Sequence, residues 1–351
     1  MSGGQHARVP ARGERARGIV RSLGLGGGLL ALGVLSAGAG VVVATHSPLT
    51  VNLLGSSAAA QTAPAVAPEP TPVTEPEPEP EPTIEYHDYD YSLPADMSAV
   101  SPTSVYPTGT AERYGVGVVI RIQFGAAVPE EMKVLLQRTA TVTASQPIGL
   151  AAWSWPNDTT MIYRPREFWP SRTTVNLTTT WVENGLSTLA PDREFRIGRE
   201  QILNIRQQSQ LGVLTREGEF LRVIPVSLGK STWETLSGVK TIMERYRVKR
   251  MVNPGPREPY DVQVPYALRI TPSGEYLHAA PWNLYNIGRS PTSHGCTNMT
   301  MEDGQWFYEN ALEGDPVITT GTGVAVDWFE GPGASWNIDW ADWMAASPAL
   351  P

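Results

Sequence analysis

The sequence predicts a mainly β protein with two β-rich domains. The first is a sandwich; the second carries one or more short helices and a C-terminal tail docked back on the body. Three observations carry that prediction. Apolar residues alternate strictly in Val116, Val118, Ile120, Ile122 and Phe124, again in Ala151, Trp153 and Trp155, and again in Val175, Leu177, Thr179 and Trp181. That spacing belongs to half-buried strands. Pro, Gly and Asn turns separate these short runs, as a sandwich requires. Helix signals are confined to short stretches, EEMKVLLQR at 130–138 and WFYENAL at 306–312.

The elements follow in chain order. Residues 1–45 read as an N-terminal signal or membrane anchor. Arg8, Arg12, Arg15, Arg17 and Arg21 precede an uncharged run of 23 residues at 22–44. A basic flank followed by an apolar run is an export signal. Its length suits an inner-membrane anchor with the arginines left in the cytoplasm. Cleavage after Ala60 in SSAAAQ is the alternative, and would release the protein to the cell wall. Residues 46–97 form a linker rich in Pro and Glu, including EPEPEPEP at 75–82. Alternating proline and charge cannot pack a core and favours an extended stalk, about 70 Å long for the stretch 61–83 at ~3.1 Å per residue.

The sandwich is expected over 98–194, with EEMKVLLQR as its one helix. The second domain is expected over 195–320. There QILNIRQQSQ, LGVLTREGEF and LRVIPVSLGK read as successive strands, and PYALRI and EYLHAA as two more joined by the turn TPSG. Thr300 and Asp303 have capping-box spacing ahead of WFYENAL, with Gly314 closing the segment. GDPVITTG is a last strand. The extension 321–351 carries Trp336, Trp340 and Trp343 in a polar context. Side chains of that size must be buried, so the tail should dock on the body.

Composition narrows the chemistry. The 351 residues hold 35 Asp and Glu against 27 Lys and Arg, and no basic face that would mark a nucleic-acid partner. Only one cysteine is present, Cys296, and five histidines. In an exported protein a lone cysteine cannot pair within its chain, so it is an intermolecular link, a reactive thiol or an inert buried residue. His278 and His294 both precede it within the second domain. A neighbouring histidine is the usual means of making a thiolate near neutral pH, so Cys296 is expected to have a lowered pKa. Gly295 lets the backbone approach a substrate carbonyl and aim N–H groups at a developing oxyanion, and the helix starting near Thr300 would add its positive end. His278, His294 and Cys296 also admit a zinc reading, but lack a fourth ligand and any usual ligand spacing.

His278 followed, after fourteen residues, by Ser293-His294-Gly295-Cys296-Thr297-Asn298 resembles the signature of the L,D-transpeptidase catalytic domain, the YkuD-like fold. HAAPW at 278–282, the preceding SGEY, the GRS before the cysteine motif and the terminal WNIDWADW resemble the actinobacterial branch, in which an immunoglobulin-like domain precedes the catalytic one. The resemblance covers about residues 98–345. It implies a cysteine acyltransferase of peptidoglycan synthesis that needs no cofactor and no metal. Cys296 would attack the bond between the third residue of a tetrapeptide stem and its terminal D-alanine. An amine of a neighbouring stem would then resolve the thioester as a 3→3 cross-link. His278 is the implied base, its ring oriented by the Ala279 carbonyl. His294, Gly295 and Tyr260 are implied at the oxyanion turn, with the N–H groups of Gly295 and Cys296 as donors. Trp282, Ser293, Asn298 and Ala279 are implied around the bound stem. Carbapenems are the implied inhibitors. Two stretches depart from the family pattern, STWETLSGVK after the SLGK strand and a short lid, RMVNPGPREPY at 250–260. A Cys-His cell-wall endopeptidase or amidase, or a non-catalytic wall-binding protein, are the competing readings.

Overall fold

A computed structural model of the protein describes residues 100–349. The anchor expected at 1–45 and the linker at 46–97 lie outside them. Among the described residues no helix is long and apolar enough to cross a membrane.

The first body contains, in chain order, β1 (Pro102–Tyr106), β2 (Ile120–Phe124), α1 (Glu130–Arg138), β3 (Ala140–Ala144), β4 (Ala151–Asn157), β5 (Thr160–Pro165), β6 (Thr174–Thr179) and β7 (Arg193–Arg196). Two antiparallel sheets form, in the orders β1-β2-β5-β4 and β3-β6-β7. Their inner faces meet as the alternation requires. Ile120, Ile122, Phe124, Trp153 and Trp155 from one sheet pack with Val175 and Leu177 from the other. Two boundaries differ from the sequence reading: β6 ends at Thr179, short of Trp181, and β2 starts late. The strand expected from Val116 starts only at Ile120. The cause is tertiary: the Gly115 N–H donates to the Glu313 carbonyl at 2.7 Å and the Gly117 N–H to that of Gly314 at 2.9 Å. Residues 115–117 therefore bond to a turn of the second body, while Val116 and Val118 stay buried.

The second body holds β8 (Gln201–Arg206), β9 (Leu211–Arg216), β10 (Glu219–Pro225), β11 (Gly238–Thr241), β12 (Glu244–Asn253), β13 (Tyr260–Arg269), β14 (Tyr276–Ala279), β15 (Thr297–Met299), α2 (Met301–Asn310) and β16 (Pro316–Thr320). One sheet runs β10-β9-β8-β16-β11 and the other β12-β13-β14-β15. A second apolar core, including Leu203, Leu214, Leu268, Leu277, Met299 and Phe307, lies among these elements. Most pairs are antiparallel hairpins, but β8–β16 and β14–β15 are parallel; between β14 and β15 the connection is short. A hairpin cannot close a parallel pair, so the chain must leave the sheet between them. That excursion, 280–296, carries most of the signature residues.

The cap at α2 forms as the spacing predicts. Thr300 Oγ1 accepts from the Asp303 N–H at 3.0 Å and donates to Asp303 Oδ2 at 2.8 Å. The tail docks: α3 (Trp340–Ala345) buries Trp343 completely, against Val119, Ala152 and Ile162 of the first body. Trp336 and Trp340 are only half-buried beside it, because they cover the Arg164 guanidinium instead of filling a core. Its carbon lies 4.9, 5.3 and 4.3 Å from the ring centres of Trp336, Trp340 and Trp343.

Candidate active site

Parallel register sets His278 of β14 opposite Asn298 of β15. Cys296 lies two residues before Asn298. Cys296 therefore sits in the turn that enters β15, and His278 on the strand beside it. They line one cleft of about 260 Å³ with Trp282, His294 and Asn298. The long hairpin of β12 and β13 forms its far wall through Met251, Tyr260, Val262 and Val264.

His278 is almost fully buried, and its Nδ1 lies 2.9 Å from the Ala279 carbonyl oxygen. A carbonyl only accepts, so Nδ1 carries the proton of the neutral ring and Nε2 is left as an acceptor. Burial pushes the imidazole down to about 4. The Trp282 ring lies 6.1 Å from the imidazole at a tilt of 30°, itself largely exposed at the mouth of the cleft.

Cys296 is 9% exposed and its Sγ lies 3.9 Å from the Gly274 carbonyl oxygen. Burial pushes the thiol up to about 12, while the Tyr276 N–H and Lys240 act against it. The expectation of a lowered cysteine pKa is therefore corrected. The histidine is too deeply buried to be the cation that would stabilise a resting thiolate. Both groups rest uncharged.

The turn 293–296 is stitched from within. Gly295 adopts φ +110°, a conformation open to glycine at little cost. Its N–H donates to Ser293 Oγ at 3.2 Å, and Ser293 Oγ donates to the Cys296 carbonyl at 2.5 Å. The Gly295 N–H therefore faces the turn, not the cleft, while Ser293 both holds the turn and lines the cleft. Ala279 is fully buried and its carbonyl serves His278, so it stands behind the site. Asn298 differs: it is buried, lines the cleft, and its Oδ1 has no protein partner. The positive end of α2 is likewise engaged. Asp303 in its first turn accepts from Arg222 at 2.6 Å.

His294 is held by side chains other than Cys296. Its ring lies 5.1 Å from those of both Trp233 and Tyr260, and its Nε2 is 2.8 Å from Glu258 Oε2. Lys230 also donates to Glu258, and these two partners, Lys230 first, hold the Glu258 carboxyl below its usual range. Among the described residues no three His, Cys, Asp or Glu side chains converge as metal ligands do, so the zinc arrangement of His278, His294 and Cys296 does not form. Lys230, Trp233, Thr235, Met251 and Glu258 were not singled out from the sequence. The signal that could have found most of them is that they lie in or beside the two stretches departing from the family pattern, 231–240 and 250–260.

Residues 200–319 match the L,D-transpeptidase catalytic domain (YkuD), and residues 96–183 match a bacterial Ig domain. The chain is 29% identical over 251 residues to L,D-transpeptidase 2 of Mycobacterium tuberculosis, covering 68% of this chain and 60% of that protein. It thus spans less than two thirds of that relative. An L,D-transpeptidase structure from Mycobacterium smegmatis aligns with a TM-score of 0.51 at 27% identity, over 63% of this chain and 99% of that one. An LD transpeptidase solved in complex with imipenem aligns with a TM-score of 0.55 at 24% identity, over 63% of this chain and 99% of that one. The second likeness is one of fold.

Proposed function

The chain joins a bacterial Ig domain to a domain of the L,D-transpeptidase family, and from that premise we propose that it cross-links peptidoglycan through a thioester on Cys296. The observation that carries this reading is that one cleft is lined by a buried thiol and by an imidazole whose Nε2 is left as an acceptor.

Cys296 Sγ attacks the carbonyl carbon between the third residue of a tetrapeptide stem and its terminal D-alanine. The thiol proton moves to His278 Nε2 as the carbon–sulfur bond forms. Neither group ionises at rest, so transfer and attack are coupled. The oxyanion is met by the Cys296 N–H and by the Tyr260 hydroxyl, which burial and the nearby cysteine keep protonated. On collapse the carbon–nitrogen bond breaks, and His278 returns the proton to the departing D-alanine amine. An amine on the third residue of a second stem then attacks the thioester and gives its proton to His278. The sulfur leaves, is reprotonated, and the product is a 3→3 cross-link. Trp282 and Asn298 line the cleft that takes the stem. An exported protein, anchored in the membrane or released to the wall, would meet this substrate, and a carbapenem would acylate the same sulfur.

Incubation with a disaccharide tetrapeptide, followed by mass spectrometry, tests the proposal. A dimer linked 3→3, with loss of one D-alanine, is expected. Cleavage within the stem without a dimer would identify a hydrolase. An unchanged substrate would leave a wall-binding protein.

A further inference from the structure

Behind the catalytic turn lies an ion pair that the proposed chemistry does not use. Lys240 of β11 is fully buried, and its Nζ donates to Glu275 Oε2 at 2.8 Å. Lysine and glutamate are almost never buried so deeply unless they are paired, and removing one partner strands the other charge. Here they hold residue 236 by both of its backbone groups. The Leu236 N–H donates to Glu275 Oε1 at 2.7 Å, and Lys240 Nζ donates to the Leu236 carbonyl at 2.5 Å. One residue earlier, buried Thr235 bridges two segments. Its Oγ1 accepts from the Gly229 N–H at 2.8 Å and donates to the Gly295 carbonyl at 2.7 Å. Glu275 also adjoins Gly274, whose carbonyl lies against Cys296 Sγ. The pair therefore reaches the nucleophile from two sides, through the loop 231–237 and through the β13–β14 turn.

We infer that Lys240, Glu275 and Thr235 are positioning residues that hold the turn 293–296 so that Cys296 faces the scissile carbonyl, an assignment that rests on the proposed role of Cys296. Gly295 O and Gly295 N–H lie on opposite sides of the turn, one bound by Thr235 and the other by Ser293. Loss of the Thr235 bond would let the peptide between residues 295 and 296 rotate, and with it the Cys296 N–H. Charge is balanced as well as geometry. The ionisable groups around Cys296 are Tyr260 from β13, Glu275, Tyr276 and His278 from β14 and its turn, His294 from the cysteine turn, and Lys240 from β11. Of these, the lysine favours the thiolate and the glutamate opposes it.

The test uses the full chain and three variants, Lys240→Met, Glu275→Gln and Thr235→Val, each checked for native near-UV circular dichroism. Intact-mass spectrometry follows acylation of Cys296 by imipenem, and alkylation by iodoacetamide is followed against pH. Lys240→Met and Thr235→Val should acylate at least about tenfold more slowly, as small misplacements of a reacting atom do. The alkylation midpoint should move up in Lys240→Met, move down in Glu275→Gln, and stay in place in Thr235→Val. A purely structural role would not move the two charge variants in opposite directions. Should Lys240→Met fail to fold, the isosteric pair Glu275→Gln and Thr235→Val carries the test. Folded Lys240→Met or Thr235→Val that acylates within about tenfold of the wild type, a Glu275→Gln midpoint that does not move down, or charge variants whose midpoints move together, overturn the inference. A wild type that imipenem does not acylate would instead sink the transpeptidase reading itself.

Discussion

Burial holds both candidate side chains, Cys296 and His278, uncharged, and under the proposed mechanism that dictates how the first proton moves. The thiol is pushed up to about 12 and the imidazole down to about 4. His278 is thus a base that stays deprotonated well below the range of an ordinary histidine, about 6.5. The sign follows: acid removes activity only by protonating Nε2, which in the folded protein requires pH near 4. The pH profile of kcat/KM should stay level from neutrality down to about pH 5, with its acidic limb near 4. A limb near 6.5, the ordinary histidine value, would contradict the buried neutral pair. The single-residue variants have a fixed order. Cys296→Ala should abolish both the imipenem adduct and cross-linking. His278→Ala should slow acylation by roughly 10²–10⁴-fold, the usual worth of a positioned general base. Tyr260→Phe should cost about 10²-fold, as loss of one oxyanion donor does, because the Gly295 N–H is turned into the loop and fewer backbone donors remain. If Tyr260→Phe acylates at the wild-type rate, the phenol is not a donor.

At the scale of elements, the parallel pair β14–β15 makes the site. It forces the excursion 280–296, which delivers Trp282 and the cysteine turn to one edge of the sheet. The β12–β13 hairpin then closes over that edge, held at its tip by Glu258 against Lys230 and His294. Helix α2 follows β15 directly, and Thr300 ends the strand by capping it. Thr300→Ala should cost about 1 kcal/mol, the usual worth of such a cap. A thermal melt should show that loss, while acylation at 25 °C, far below the transition, should be little altered. An unchanged melt would mean that Asp303 and Arg222 hold the helix start without the threonine.

For the whole molecule, the tail acts as a staple between the two bodies. Trp343 donates to the Ala152 carbonyl at 3.1 Å and Trp336 to that of Gly117 at 2.7 Å. Asn337 accepts from the Val239 N–H at 2.7 Å and donates to the Val239 carbonyl at 2.8 Å. Trp343→Ala should cost about 3–5 kcal/mol, in the range of large-to-small core changes, and deleting the tail from Ser335 should lower the melting temperature by several degrees. A tail-less chain with an unchanged melt would show that the bodies pack without it. None of the candidate catalytic residues lies before Ser98. A chain starting there should stay soluble and keep its turnover on isolated stems; loss of turnover with intact circular dichroism would tie the N-terminal segment to the chemistry.

The sequence by itself determined the β class, the sandwich core and the candidate pair Cys296 and His278. Alternation at Ile120, Ile122 and Phe124 is a local signal, and the turn around Cys296 is a contiguous one. Thr300 and Asp303 lie three residues apart and find each other without help from the rest of the chain. Only the tertiary structure decided the charge states of Cys296 and His278, because burial is set by elements far apart in sequence. It also turned the Gly295 N–H inward and ended β2 short of Val116, where the turn at 313–314 takes the backbone. The Lys240–Glu275 pair spans 35 residues and Thr235 reaches Gly295 across 60. No periodicity records such contacts, since each partner alone reads as an ordinary polar residue of a strand or loop.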